Sequence, residues 1–159
     1  RTNTTKSLIE QTNPQVISGN ASEILAVAKA EMSTKGVDST ASADEAIEVA
    51  KELAKNTKSI VSISGKTDYI TDGGILNKVE NGHPLMGKIT GTGCTASVLT
   101  AAFSSVNNDY LTAASEAMQI MGIAGEMAGE SADAPGTFQV KFLDALHKIN
   151  SDEIKNRIK

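Results

Sequence analysis

The residues best suited to chemistry form a glycine-rich turn made of Gly91, Thr92, Gly93 and Cys94, which leads into a predicted helix at 95–106. Two glycines at this spacing let the backbone approach a ligand closely, and the free N–H groups of a first helical turn bind anions. Glycine and threonine also begin ordinary helices, and a cysteine on a buried helix is usually a small hydrophobe. The residues alone leave anion binding and simple helix capping as equal alternatives. The segment 82–88, which precedes the turn and contains Gly82 and Gly87, is typical of a functional loop and favours anion binding.

A second candidate lies where a short predicted strand, 15–18, gives way to a predicted helix, 20–30, with Gly19 predicted to break the strand. Asn20 and Glu23 could hold hydrated Mg²⁺ beside phosphates, because that ion prefers hard oxygen ligands. The same pair is close to a capping box, in which the two side chains satisfy backbone N–H groups. Taken alone, the pair favours capping.

Other patterns with known chemistry are weaker. Residues 82–88 match most of a phosphate-binding Walker A motif, but Ile89 stands where Ser or Thr should ligate magnesium. The Gly91-x-Gly93-x-x-Ala96 pattern approximates a dinucleotide fingerprint, yet it lacks the strand–helix–strand context that the fingerprint needs. The two histidines, His83 and His147, have no metal-ligand spacing with the lone cysteine. Turn chemistry in a hairpin accounts for Asp68 and Asp72.

The elements that must position these residues follow from hydrophobic periodicity and turn signals. Helices are predicted at 4–11, 20–30, 42–55, 95–106, 109–131 and 135–148, strands at 15–18 and 59–64, and a hairpin at 68–79 that lies antiparallel at a sheet edge. Loops are predicted around Gly36 and Asp38 and at 80–90. The order predicts an α/β sandwich whose sheet is completed by further sequence.

Composition bounds the class of protein. The chain has 159 residues, 40% of them hydrophobic, and a net charge of −4, which indicates one globular domain over 1–159. Its acidic balance and few aromatics argue against nucleic-acid binding. The sequence has no apolar run of membrane-spanning length and no secretory signal, so we expect a cytoplasmic protein. The opening Arg1 predicts that the chain begins partway through a domain.

Three motifs together resemble a known family. They are Gly-His-Pro-Leu-Met at 82–86, Lys-Ile-Thr-Gly-Thr-Gly-Cys-Thr-Ala-Ser at 88–97 and Ser-Gly-Asn-Ala-Ser-Glu-Ile at 18–24. These segments resemble hydroxyethylthiazole kinase, a ribokinase-like enzyme of thiamine salvage, and the resemblance continues through 121–127 and 134–138. It implies the C-terminal portion of a ribokinase-like three-layer α/β/α sandwich. It also implies ATP as co-substrate, Mg²⁺ as cofactor and a homotrimer with active sites between subunits.

The resemblance assigns roles to individual residues. Asn20 and Glu23 match the superfamily's Asn-x-x-Glu motif, with Asn20 near ATP and Glu23 near the metal ion. Ser64 matches a residue that contacts ATP. Ser18 stands at an ATP-binding position where family members often carry Arg or Lys.

The glycine-rich turn also acquires roles from the resemblance. Gly91, Thr92 and Gly93 match an anion hole that also binds substrate, and Cys94 stands where the wider superfamily has a catalytic aspartate. The implied reaction is phosphoryl transfer from ATP to the hydroxyl of 4-methyl-5-(2-hydroxyethyl)thiazole. Cys94 would act as base, as alcohol-positioning group or as filler. The alternatives are a noncatalytic nucleotide-binding fragment and a related pyrimidine or sugar kinase.

Overall fold

The computed structural model describes residues 2–31 and 43–159. The chain divides into two compact units, Arg1–Lys78 and Val79–Lys159, each of which is described separately. Of the predicted features, the loop around Gly36 and Asp38 and the first residue of the helix predicted at 42–55 lie outside the described residues. The prediction that 1–159 is one domain of a kinase stays a prediction.

The first unit is an α/β arrangement. Its helices are α1 (Thr2–Thr12), α2 (Ala21–Glu31) and α3 (Ala43–Thr57), and its strands are β1 (Val16–Asn20), β2 (Ile60–Ser64), β3 (Asp68–Thr71) and β4 (Leu76–Val79). The four strands form one sheet in the order β1-β2-β3-β4. β1 and β2 are parallel, so the chain between them must cross over, and α2 and α3 belong to that crossover. β3 and β4 are neighbours at one edge of the sheet, as the predicted hairpin requires, and the short connection 72–75 permits only antiparallel pairing.

One face of this sheet carries the core of the first unit. Ile17 of β1 and Val61 and Ile63 of β2 alternate along their strands and join one hydrophobic cluster with residues of α2 and α3. Alternation along a strand sends the intervening residues to the opposite face. On β1 and β2 those include Ser18, Asn20 and Ser64, so these polar residues share the face opposite the cluster formed with α2 and α3.

The second unit is helical. It contains a short 3-10 helix (Pro84–Lys88) and then α4 (Thr92–Val106), α5 (Tyr110–Gly129), α6 (Pro135–Lys148) and α7 (Ser151–Arg157). Its hydrophobic cluster is separate from that of the first unit and joins small residues of α5 to Phe138 and Phe142 of α6. The three predicted helices of this region are confirmed.

The structure departs from three local predictions and adds one helix that was not predicted. β1 continues through Gly19 to Asn20, because both residues pair with the end of β2. The helix predicted at 95–106 begins at Thr92, since the left-handed Gly91 precedes it as the N-cap. The predicted loop at 80–90 contains the 3-10 helix. A further helix, α7, follows Asn150, whose side chain accepts hydrogen bonds from the amides of Asp152 and Glu153.

Candidate functional site

Two of the predicted ATP-binding residues are neighbours at the carboxyl edge of the sheet. Asn20 ends β1 and Ser64 ends β2, and the two are register partners. Because the strands are parallel, both carboxyl ends meet at this edge, where open α/β sheets bind ligands. Ser18 lies two residues earlier on the same strand and is exposed, as is Asn20, whereas Ser64 is half-buried. The first unit thus brings Ser18, Asn20 and Ser64 onto one patch.

Glu23 is tied to this edge by a reciprocal pair of hydrogen bonds. The backbone N–H of Asn20 donates to Oε2 of Glu23 at 2.8 Å, and the N–H of Glu23 donates to Oδ1 of Asn20 at 3.0 Å. The pair is therefore a capping box at the start of α2. A Cβ placed on Gly19 would lie 3.1 Å from Oε2 of Glu23, so the glycine makes room for the carboxylate. Capping holds the exposed carboxylate in a fixed place and leaves its second oxygen for a ligand.

The glycine-rich turn lies in the second unit. Gly91 is the N-cap of α4 with φ +90°, a conformation that favours glycine. In the part of the chain that the structure describes, no atom lies within 4 Å of a Cβ placed on Gly91 or Gly93, and no side chain caps α4. The amides of the first turn, at Thr92, Gly93 and Cys94, are thus open to an anion at the positive end of a 15-residue helix.

Cys94 is exposed in this first turn. The hydroxyls of Thr95 and Ser97 are occupied by helix carbonyls, since Thr95 Oγ1 donates to Gly91 O and Ser97 Oγ to Gly93 O, both at 3.0 Å. The exposed thiol lies in the same turn as the open amides. An exposed position disfavours the interpretation of Cys94 as hydrophobic filler.

The loop before this turn is seated on a glycine face of α5, defined as Gly122, Gly125 and Gly129. These residues repeat at helical spacing. A Cβ on Gly122 would lie 2.6 Å from the carbonyl carbon of Asn81, while a Cβ on Gly125 or Gly129 would collide with the side chain of Met86 or His83. The loop thus meets α5 backbone to backbone at Gly122, and its Met86 and His83 side chains pack on Gly125 and Gly129.

A carboxylate of α5 anchors the start of the same loop. Glu126 Oε1 accepts hydrogen bonds from Asn81 Nδ2 and from the Gly82 amide, each at 3.2 Å, and pairs with Lys159 at 2.6 Å. Desolvation raises the pKa of Glu126, but the hydrogen bonds from Lys159, Gly82 and Asn81 outweigh it and hold the pKa below its ordinary value. Glu126 is therefore ionised at neutral pH. No spacing pattern in the sequence signals this contact, because it joins residues far apart in the chain.

Asp68 was predicted to begin the hairpin 68–79, and the structure confirms this by placing it at the first position of β3. Its side chain is buried, with 8% exposure, and Oδ1 accepts a hydrogen bond from the Gly65 amide at 2.8 Å. Burial raises the pKa of Asp68 to about 6, although the bond from Gly65 lowers it. Asp72 does lie in the β3–β4 turn, where its Oδ1 accepts from the amides of Gly74 and Ile75.

Comparison with known proteins gives a consistent result. The model of the hydroxyethylthiazole kinase family matches residues 1–152. A hydroxyethylthiazole kinase of Leptospira biflexa is 48% identical over 96% of this chain, and one of Syntrophus aciditrophicus is 46% identical over the whole of it. The structure of a hydroxyethylthiazole kinase from Pyrococcus horikoshii OT3 aligns over 99% of this chain with a TM-score of 0.88 and 34% identity. The predicted ribokinase-like α/β fold is confirmed.

The similarity covers only part of each relative. The chain spans 57% of the Leptospira protein, 59% of the Syntrophus protein and 58% of the Pyrococcus chain. In the residues that are described, no helix is long and apolar enough to cross a membrane.

Proposed function

Because this chain belongs to the hydroxyethylthiazole kinase family, we propose that the protein transfers the γ-phosphoryl group of ATP to the hydroxyl of 4-methyl-5-(2-hydroxyethyl)thiazole. The observation that supports the proposal most strongly is the α4 N-terminus, which presents uncapped amides and an exposed thiol within one helical turn. Phosphoryl transfer depends mainly on positioning and charge neutralisation, which such a turn supplies.

We assign nucleotide binding to the carboxyl edge of β1 and β2. Asn20 and Ser64 offer an amide and a hydroxyl on adjacent strands, and Ser18 adds a second hydroxyl. Ser18 replaces the cation common in the family, so it hydrogen-bonds to a phosphate but contributes no positive charge. ATP binding by this protein should therefore depend more on Asn20, Ser64 and the metal ion.

Glu23 is the proposed magnesium ligand. Mg²⁺ is usually held by one or two carboxylates together with waters and substrate phosphates, and a single exposed carboxylate beside Asn20 fits that pattern. When bound, the ion neutralises phosphate charge. The capping box fixes the carboxylate beforehand, so ligand binding does not have to order it.

The amides of Thr92, Gly93 and Cys94 are assigned to the phosphoryl group as it transfers. Backbone donors that are already fixed stabilise developing negative charge without reorganisation. Cys94 would accept or orient the alcohol's proton. A homotrimeric state and a cytoplasmic location are proposed on family membership alone.

The test is a coupled ADP-release assay on the longest natural chain that contains these 159 residues, with ATP, Mg²⁺ and the thiazole. We expect thiazole-dependent turnover that Cys94→Ala reduces about 10²-fold or more, as loss of a general base does. Cys94→Asp should retain substantial activity, because aspartate is ionised and accepts a proton. Ser97→Ala, one turn later in α4, is the matched control and should leave turnover unchanged.

Three results would contradict the proposal or a part of it. Equal activity in Cys94→Ala and the parent would remove Cys94 from the mechanism. Turnover of a pyrimidine or sugar alcohol in preference to the thiazole would assign the protein to a related kinase, and ATP binding without any turnover would favour a noncatalytic nucleotide-binding module.

A further inference from the structure

Asp68 lies in line with the two ATP-binding residues at the sheet edge. Asn20 is the register partner of Ser64, and the β2–β3 register pairs Ser62 with Ile70 and Ile63 with Tyr69. One further step of this antiparallel register sets Asp68 opposite Ser64. Opposed residues of neighbouring strands project to the same face of a sheet, so Asn20, Ser64 and Asp68 form one row across three strands.

The connection between Ser64 and Asp68 is three residues long and is closed by the Asp68 carboxylate. Gly65, which follows Ser64 directly, donates its N–H to Asp68 Oδ1 at 2.8 Å. A Cβ on Gly65 would lie 3.2 Å from the carbonyl oxygen of Thr67, so the turn is tight. The carboxylate thus restrains the peptide plane that joins Ser64 to Gly65, and through it the end of β2.

We propose that Asp68 is a positioning residue for the nucleotide, because its buried carboxylate holds the Gly65 amide and thereby fixes the Ser64 hydroxyl beside Asn20. The inference rests on the proposed function, which assigns ATP to Ser64. Asp68 acts through Ser64 and has no contact with substrate. Charge-assisted hydrogen bonds are stronger than neutral ones, so a carboxylate restrains the turn more firmly than a neutral acceptor.

Turn capping without any role in nucleotide binding is the competing explanation, and Asp72 supplies the matched control. Asp72 caps the next turn of the same sheet with two hydrogen bonds of 2.7 Å, but it lies at the opposite end of β3 from Ser64. Asp72→Ala and Asp68→Ala should both lower stability. Only Asp68→Ala should change nucleotide binding.

The experiment compares Asp68→Ala, Asp68→Asn and Asp72→Ala in the same natural chain. For each variant and the parent it measures the KM for ATP, kcat, the Kd of Mg-ATP by calorimetry and the melting temperature. Asp68→Ala should raise the KM and Kd for ATP about 3- to 10-fold with kcat nearly unchanged, as loss of one positioning hydrogen bond does. Asp68→Asn keeps an acceptor for Gly65 and should recover most of the affinity. Asp72→Ala should lower only the melting temperature.

The outcomes distinguish a failure of the positioning role of Asp68 from a failure of the proposed reaction. If Asp68→Ala and Asp72→Ala lower the melting temperature alike while the Kd of Mg-ATP stays at its parental value, the positioning role is refuted. If the parent binds Mg-ATP but phosphorylates no thiazole, the proposed reaction fails, and the Kd values of the variants still decide the role of Asp68. A parent that binds no nucleotide refutes both.

Discussion

The contact between the loop and the glycine face of α5 makes Gly122→Ala the most informative stability variant. The added methyl would lie 2.6 Å from the Asn81 carbonyl carbon, whereas ordinary contact begins at 3.4 Å. Both groups belong to backbone, so neither a rotamer change nor a small side-chain shift relieves the overlap. Gly125→Ala meets instead the flexible side chain of Met86, which can move away.

The stability lost in Gly122→Ala follows from two opposing effects. Overpacking a well-filled site costs about 1–3 kcal/mol, and replacing glycine by alanine within a helix returns up to about 1 kcal/mol. We therefore expect Gly122→Ala to lose about 1–2 kcal/mol, which for a chain of this size lowers the melting temperature by about 2–8 °C. Gly125→Ala should lose less than Gly122→Ala.

Urea denaturation followed by circular dichroism measures these differences. Gly136→Ala is the matched control, because Gly136 is also helical and its Cβ would meet no atom within 4 Å in the described ranges 2–31 and 43–159. It should be as stable as the parent or slightly more so. A Gly122→Ala variant whose stability equals or exceeds that of Gly136→Ala would show that the loop yields freely and that its close seating on α5 does not matter.

Three further predictions concern charged groups. Glu23→Gln should weaken Mg²⁺-dependent turnover far more than folding, because glutamine keeps much of the capping geometry without the charge; a loss confined to the melting temperature would leave capping as the only role. In the folded state the pKa of Asp68 is raised from 3.8 to about 6. The folded protein therefore binds this proton more tightly than the unfolded chain does, so the free energy of unfolding should fall by about 2–3 kcal/mol as pH rises from about 4 to 7. Asp68→Asn should remove that decline. If the stability of the variant and of the parent changed with pH in parallel, the decline would not be due to Asp68. The lowered pKa of Glu126 predicts a pH dependence of stability with the opposite sign. Its stabilising effect is present above the ordinary pKa of 4.5 and is lost as pH falls. The stability of Glu126→Gln should therefore approach that of the parent in acid.

Much of the fold was predictable because its signals are local. The β-branched run 59–64 and the Asp-Gly-Gly turn at 72–74 specify a strand and a hairpin without reference to the rest of the chain. The error at Gly19 has a physical cause. Glycine weakens a strand locally, and pairing with Ile63 of β2, a contact 44 residues away, overrides that weakness.

Some residues of the candidate site could likewise be predicted from local sequence, and others could not. The glycine-rich turn and the Asn20–Glu23 pair were recognisable as candidates because their residues are consecutive or lie within one helical turn. Asp68 was classed with ordinary turn residues, since its burial and its place opposite Ser64 arise only when three strands are paired. Glu126 was missed for the same reason, because its partners Gly82 and Lys159 lie 44 and 33 residues away.

If nucleotide binds Asn20 and Ser64 as proposed, its binding depends on the register of β1 and β2. A slip of one residue between these strands would send one of the two side chains to the face of the hydrophobic cluster, because strand residues alternate. A ligand that binds only one arrangement stabilises it by RT ln(1 + [L]/Kd). Bound nucleotide would then stabilise the native register of the sheet over the slipped one.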